Sequence, residues 1–149
     1  MSRKQSPEKI RKYAKALDDA IEGRNIEEVE SYFCDDCEIE VLGVKLTGKE
    51  GLRKAFGWMY KYLPDMVLIP ITIMVDSDTF FEEFIVKTKV KGGKEIQVKQ
   101  AEVLVYDDYK VKSLRLYFDR LELAEAFISN AVEQVMVNQI IKASLKGLV

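Results

Sequence analysis

Apolar residues recur at helical spacing from the start of the chain: Ile10, Tyr13, Ala14, Leu17 and Ile21. Ser6-Pro7-Glu8 before them supplies an N-cap, a proline for the first helical position and an acid for the first turn. Gly23 ends this helix. Asn25, with Glu28 three residues on, opens a second helix with Ile26, Val29, Tyr32 and Phe33 on its apolar side. Glu38–Leu42 alternates like a short strand. Thr47-Gly48-Lys49-Glu50 is a capping box for a third helix, whose stripe is Leu52, Ala55, Phe56, Met59 and Leu63 and which Pro64 closes. Gly57, inside that helix, marks a place for close approach by another backbone or a ligand.

From Met66 onward the period changes to that of sheet. Met66–Val75 is apolar on both faces, so each face needs a cover, and Pro70 assigns it to an edge or a bulge. Asp76-Ser77-Asp78 turns the chain into Thr79–Val90. Gly92-Gly93 is a two-residue hairpin signal leading to Glu95–Tyr106. Asp107-Asp108 then turns into Tyr109–Phe118, which completes a meander. A last helix is predicted from Asp119 to Lys146 on the stripe Leu121, Ala124, Phe127, Ile128, Ala131, Val132, Val135, Met136, Ile140 and Ile141. Helices followed by an antiparallel meander define an α+β fold. A curved sheet with helices over its concave face leaves a cone-shaped hole suited to a ligand.

At 149 residues, 48% hydrophobic and 32% charged, the chain reads as one domain, 1–149, able to bury a core. The balance of 23 Lys+Arg against 25 Asp+Glu offers no basic field for nucleic acid. The absence of histidine excludes Ser-His-Asp and Cys-His nucleophiles and paired-histidine zinc sites. Chemistry must come from carboxylates, Tyr, Lys, Arg or Cys. The polar Met1–Lys9 start lacks an apolar signal core, and Met66–Val75 is about half a membrane span. The expectation is a cytoplasmic protein with no membrane partner. Cys34-Asp35-Asp36-Cys37 has too few partners for zinc in one chain. It follows a helical segment among acids, so it is read as two small apolar residues in a helix-to-strand loop. Lys87, Lys89, Lys91, Lys94 and Lys99 flank the Gly-Gly hairpin without interleaved aromatics, the pattern of a solvated, guarded strand face.

Four segments carry a resemblance: Ala20-Ile21-Glu22-Gly23-Arg24-Asn25-Ile26, Phe33-Cys34-Asp35-Asp36-Cys37, Gly48-Lys49-Glu50-Gly51-Leu52-Arg53-Lys54-Ala55-Phe56 and Arg115-Leu116-Tyr117-Phe118-Asp119. In order and spacing they resemble the nuclear transport factor 2-like (cystatin-like) superfamily, and within it the SnoaL-like polyketide cyclase branch. The likeness covers roughly residues 8–128, leaving 119–146 as a C-terminal helical extension. It implies an α+β cone, a homodimer formed through sheet faces, and an Asp at the end of the last strand, here Asp119, acting as general acid/base. It further implies three ketosteroid-isomerase roles that fall on Val41, near Ala101, and near Ala16 with Tyr13 one turn earlier, where this chain has no matching side chain. The Arg-x-Asp of limonene-epoxide-hydrolase-like enzymes falls on Lys99-Gln100-Ala101. The family's Asp-Gly-Lys-Ile hairpin carries Tyr109 in place of Gly.

Asp119 is the first candidate catalytic residue. Period 2 sets Ser113, Arg115, Tyr117 and Asp119 on one face; if that face is concave, the carboxylate looks into an apolar hole. Asp119-Arg120-Leu121-Glu122 is equally a capping box, so the residue is read either as a cap alone or as a cap with a function. Glu82 is the second candidate, because it shares a strand face with Phe80, Phe84, Val86, Thr88 and Val90. A carboxylate there is either neutral or paired. Tyr13, Trp58, Phe80, Glu82, Phe84, Val103, Arg115 and Tyr117 are the pocket-lining candidates. Two functions follow: an enzyme needing no cofactor or metal that moves a proton on, or adds water to, a small apolar molecule, or a non-catalytic ligand-binding or dimeric assembly module.

Overall fold

A computed structural model describes residues 4–149; Met1, Ser2 and Arg3, the start of the polar N-terminus, lie outside the described residues. Two helices come first, α1 (Pro7–Glu22) and α2 (Ile26–Ser31). The Ser6 hydroxyl caps α1 by accepting from the Lys9 N–H at 3.4 Å, and Asn25 caps α2 by accepting from the Glu28 N–H at 3.2 Å. Phe33, expected on the second helix, instead opens β1 (Phe33–Val41), which is longer than the strand read from Glu38–Leu42. Both cysteines therefore sit in a strand and not in a loop. Leu42 and Gly43, with φ of 53° and 77°, turn the chain into the short β2 (Val44–Thr47), which sequence pattern alone did not reveal. α3 (Gly48–Tyr62) starts where expected, although the Thr47 side chain makes no cap hydrogen bond. Gly57 faces open space. Close approach falls at Gly51, where a Cβ would meet that of Leu46 at 3.0 Å.

The meander follows as β3 (Val67–Asp76), β4 (Thr79–Lys89), β5 (Glu95–Asp107) and β6 (Lys110–Phe118). The sheet has six strands in the order β2-β1-β6-β5-β4-β3. All neighbours are antiparallel except β1 and β6. β3 is an edge strand with a register shift between Pro70 and Thr72, the bulge that the proline requires. Gly92 and Gly93, at φ 95° and 83°, make the β4–β5 hairpin.

The predicted final helix is broken. Asp119 caps a single turn, α4 (Arg120–Leu123), and a 3-10 turn spans Ala124–Ala126. A separate helix, α5 (Ala131–Ser144), starts at Asn130, whose side chain accepts from the Glu133 N–H at 3.0 Å. Glu133 in turn accepts from the Ser129 N–H at 2.6 Å. This reciprocal cap outweighs the continuing apolar stripe, because it satisfies donors that an unbroken helix would not need to expose.

α1 and α3 cover the inward face of the sheet. Leu17, Phe33, Leu52, Phe56, Phe80 and Leu104 are fully buried there, and each such side chain contributes about 2–3 kcal/mol by leaving water. Phe33 meets Phe56 edge-on at 6.2 Å. Among the described residues no helix is long and apolar enough to cross a membrane.

Candidate active site

Alternation along β4 turns Phe80, Glu82, Phe84, Val86 and Thr88 inward, all of them buried. Register then decides what faces Glu82. Its partner on β5 is Glu102, and the partner of Glu102 on β6 is Leu116. Directly paired residues share a face, so two glutamates stand side by side beneath the helices. Asp18 reaches them from α1. Oxygens of Asp18, Glu82 and Glu102 all lie within 4.8 Å of one another. Glu82 is 1% exposed and Glu102 7%, while Asp18 is half-buried.

Among the described residues none of the three carboxyls forms an ion pair. The nearby Lys15 ammonium is held by Asp19 at 2.9 Å. Burial therefore acts on the cluster with no cation paired to it, and Lys15 offsets only part of the effect on Asp18 and Glu82. Burial first, then the charge of Glu82, pushes the Asp18 carboxyl up to about 8. Burial raises Glu82 as well, against the opposing pull of its contact with Asp18 and of Lys15. Glu102 is held well above the usual carboxylate range by burial, reinforced by Asp18 and Glu82. Glu82 Oε1 is buried with no donor facing it. Two carboxylates in contact repel unless a proton lies between them, so the contact of Asp18 with Glu82 favours a proton shared by the pair. On the same inward run of β5, the Tyr106 hydroxyl is also buried without a partner, and its residue is 3% exposed. Burial and all three carboxyls push that phenol upward, so it stays protonated.

Asp18 and Glu102 line a hollow of about 40 Å³, walled by Phe56, Met59, Leu63, Met66, Leu68, Phe84 and Leu116, with Gln100 as a further polar group. The expected roomy hole is thus narrowed by core side chains. It accommodates a water or the head of a ligand, well short of the roughly 300 Å³ of an ordinary ligand pocket.

The sequence-predicted residues divide between the two sheet faces. Phe80, Glu82 and Phe84 are inward as expected, and Phe84 lines the hollow. Asp119 is not in the hollow. It is exposed, and its carboxylate accepts from the Leu121 N–H at 2.8 Å as a helix cap. Arg115 and Tyr117 share its outer face, because Leu114, Leu116 and Phe118 take the inward positions of β6. The apolar set of a strand claims the core and drives the alternate set outward. Tyr117 is 53% exposed. Val103 pairs with Arg115 and Phe81, and is outward too. Tyr13 leaves the cone altogether and stacks on Tyr109 at 5.7 Å. Trp58 stacks on Phe127 at 5.9 Å and lines a separate groove of about 210 Å³ with Val44, Leu46 and Ala55.

Asp18, Glu102 and Tyr106 were missed. The family's carboxyl donor on the penultimate strand, aligned near Ala101, has its inward neighbour Glu102 one residue on. A one-residue offset in a strand exchanges the faces. Cys34 and Cys37 are free, and burial pushes both thiols up, which suits packing more than redox work.

A curved six-stranded sheet with helices across its inward face defines an α+β protein of the nuclear transport factor 2-like fold, and the carboxyl cluster lies beneath those helices. A profile described as the SnoaL-like domain matches residues 13–114, and the chain belongs to that family. No curated protein matches it in sequence. Among solved structures it is similar to TerC co-crystallised with polyporic acid, with TM-score 0.72 and 18% identity over 81% of this chain and 99% of that one. It is also similar to a putative SnoaL-like polyketide cyclase from Jannaschia sp. CCS1, with TM-score 0.73 and 14% identity over 84% and 96% of the two chains. A third is a hypothetical protein of ketosteroid isomerase-like fold from Catenulispora acidiphila in complex with trimethylamine, with TM-score 0.70 and 16% identity over 85% and 100%. At these identities the likeness shows the fold.

Proposed function

We propose that the chain is a small-molecule enzyme that works by proton transfer, with Asp18, Glu82 and Glu102 as its acid–base groups. The observation that carries this reading is the meeting of three carboxyls, from three elements, at the apolar closed end of the cone without a cation. Glu102, kept neutral, donates a hydrogen bond to an oxygen on which negative charge develops. The Asp18–Glu82 pair supplies the base: it takes a proton from the carbon beside a carbonyl and returns it to the same or a neighbouring carbon. Such a step isomerises or cyclises a substrate and consumes no co-reactant. The acid/base role assigned to Asp119 passes to this cluster, and Asp119 remains a cap. TerC was co-crystallised with polyporic acid and the Catenulispora protein was solved in complex with trimethylamine, which supports a small-molecule role for this chain.

The test is exchange of carbonyl α-protons in deuterated water, followed by proton NMR over a panel of small ketones and amino ketones. Exchange that is lost in Glu82→Gln and Glu102→Gln supports the reading. Exchange absent from the whole panel, or retained in both variants, overturns it.

A second reading, a dimeric module, draws on the outer sheet face, where Ile69, Met74 and Tyr117 stand uncovered. We take this face as the seat of a second copy. The two readings are compatible, since the outer face and the hollow lie on opposite sides of the sheet. We also take the chain as one functional unit, residues 1–149. We assign it to the cytoplasm, where the two free thiols would stay reduced.

A further inference from the structure

The hollow is acidic at its closed end and greasy along its walls, and these two properties together restrict what enters it. We propose that the hollow also takes a ligand carrying a primary ammonium group, which docks on Asp18, Glu82 and Glu102 in place of the carbonyl substrate while its alkyl body lies along the apolar wall. The inference rests on the reading above only in taking the hollow as the place where a small molecule binds.

The first argument is a count of donors. A primary ammonium has three N–H groups, and three carboxyls converge here. The oxygens in the cluster all lie within 4.8 Å of one another, close enough for one ammonium head to reach all three carboxyls. The second argument is two orphaned atoms. Glu82 Oε1 and the Tyr106 hydroxyl are buried beside the cluster with no partner. A buried polar atom without a partner costs about 1–3 kcal/mol, and an arriving N–H donor answers that need. Third, no basic side chain among the described residues pairs with these acids, so a cationic ligand would find them free.

The walls argue against a metal ion. Divalent cations want about four to eight oxygen or nitrogen ligands and often retain water. Phe56, Met59, Leu63 and Leu68 add no oxygen or nitrogen to the three carboxyls. An alkylammonium gains from the same walls, because its methylenes need apolar contact. Met59 and Leu68, half-buried, stand where that body would emerge. Binding a cation displaces a proton from the cluster to solvent, so ligand uptake is coupled to proton release.

Isothermal titration with n-butylammonium, and with n-butanol as its uncharged counterpart, tests the proposal. Repeating it in two buffers of different ionisation heat counts the protons released. Butylammonium is expected to bind at least about ten-fold more tightly than butanol, since three charge-assisted hydrogen bonds separate the two. Release of up to one proton is expected, with affinity climbing toward pH 8, where Asp18 ionises. Glu82→Gln and Glu102→Gln should each weaken butylammonium several-fold, whereas Asp119→Asn should not. Circular dichroism confirms that each variant is folded. Equal binding of the alcohol, no saturable heat from either ligand, or affinity unchanged in both glutamine variants would overturn the proposal. So would Mn²⁺ binding that depends on the glutamates in place of butylammonium. If ketone exchange persists while butylammonium fails, the ammonium ligand falls and the acid–base reading stands; binding without any exchange leaves the reverse.

Discussion

Glu102 pairs with Glu82 on adjacent strands with no ion pair to either, and such an arrangement has a thermodynamic signature. In the unfolded chain these carboxyls, like that of Asp18, titrate near the usual value of about 4. In the folded chain all three are raised, Asp18 to about 8. The native state therefore binds more protons than the unfolded state across this window. Stability contributed by these groups is complete below their unfolded values and is lost as pH rises through the folded ones. The chain has no histidine, so few other groups titrate between about pH 5 and pH 8. The melting temperature is expected to fall as pH increases over that range. Glu102→Gln should flatten the decline and melt higher than the parent at pH 8; scanning calorimetry in a pH series reads both. A melting temperature that rises with pH, or an unchanged slope in the variant, would show that the cluster is not the proton reservoir assigned to it. Glu82 was legible in the sequence, because it interrupts an apolar alternation of Phe80, Phe84 and Val86. Glu102 was not. Both phases of β5 carry apolar residues near their middle, Ala101 and Val103 on one face and Leu104 and Tyr106 on the other, and only pairing with β4 selects the inward set. Asp18 sits beside Asp19 and reads as solvated helix surface until α1 is laid across the sheet.

Local signals fixed most element starts correctly, and the departures occurred where an element depends on a partner. β2 has four residues and exists through its pairing with β1. The break before α5 is local, encoded by Ser129, Asn130 and Glu133, yet a continuing apolar stripe hid it. The β5–β6 turn shows the same competition in its energetics. Asp108 and Tyr109 both adopt left-handed backbone, φ 47° and 59°, in the geometry that favours glycine. Tyr109 is held there by contacts outside the turn. Its N–H donates to Gln5 Oε1 at 2.7 Å, its hydroxyl accepts from the Ser6 N–H at 2.8 Å, and its ring stacks on Tyr13. Gln5 also donates to the Tyr106 carbonyl at 2.9 Å, which straps the segment before α1 onto this hairpin. No contact of this kind holds the Asp108 side chain. Asp108→Gly should therefore stabilise the fold by about 0.5–1 kcal/mol through relief of left-handed strain. Tyr109→Gly should destabilise it, because the strap loses its ring and its hydroxyl. Urea unfolding of the two variants decides between this account and one in which the turn alone sets its own conformation, where both glycines would stabilise alike.

At the scale of the molecule, the inward face of the sheet is satisfied by α1 and α3, and among the described residues no helix covers the outward face. β3 was apolar on both sides in the sequence, and the single chain covers only one of them. Leu68, Ile73 and Val75 pair with inward residues of β4, whereas Val67, Ile69 and Met74 pair with outward ones, and Met74 is 56% exposed. Phe81, Ile85, Val103 and Tyr117 continue the outward patch across β4, β5 and β6. α5 buries no residue and leaves Val132, Val135, Met136 and Ile140 open. Exposed apolar side chains interleaved with Glu83, Lys99 and Arg115 suit a partner, and a second copy presenting the same face would give a closed, isologous pair. Sedimentation equilibrium is expected to report twice 17.1 kDa for the parent chain. Ile69→Lys with Met74→Lys places two charges on the patch, on the opposite face of the sheet from the carboxyl cluster, and should return the monomer mass. The hollow opens away from this face, so the monomeric variant should keep its proton-exchange activity. A monomeric parent, or a double variant that stays dimeric, would remove the outer face as the interface. If that variant stays dimeric and truncation before Asn130 releases the monomer, the partner sits instead on the open stripe of α5.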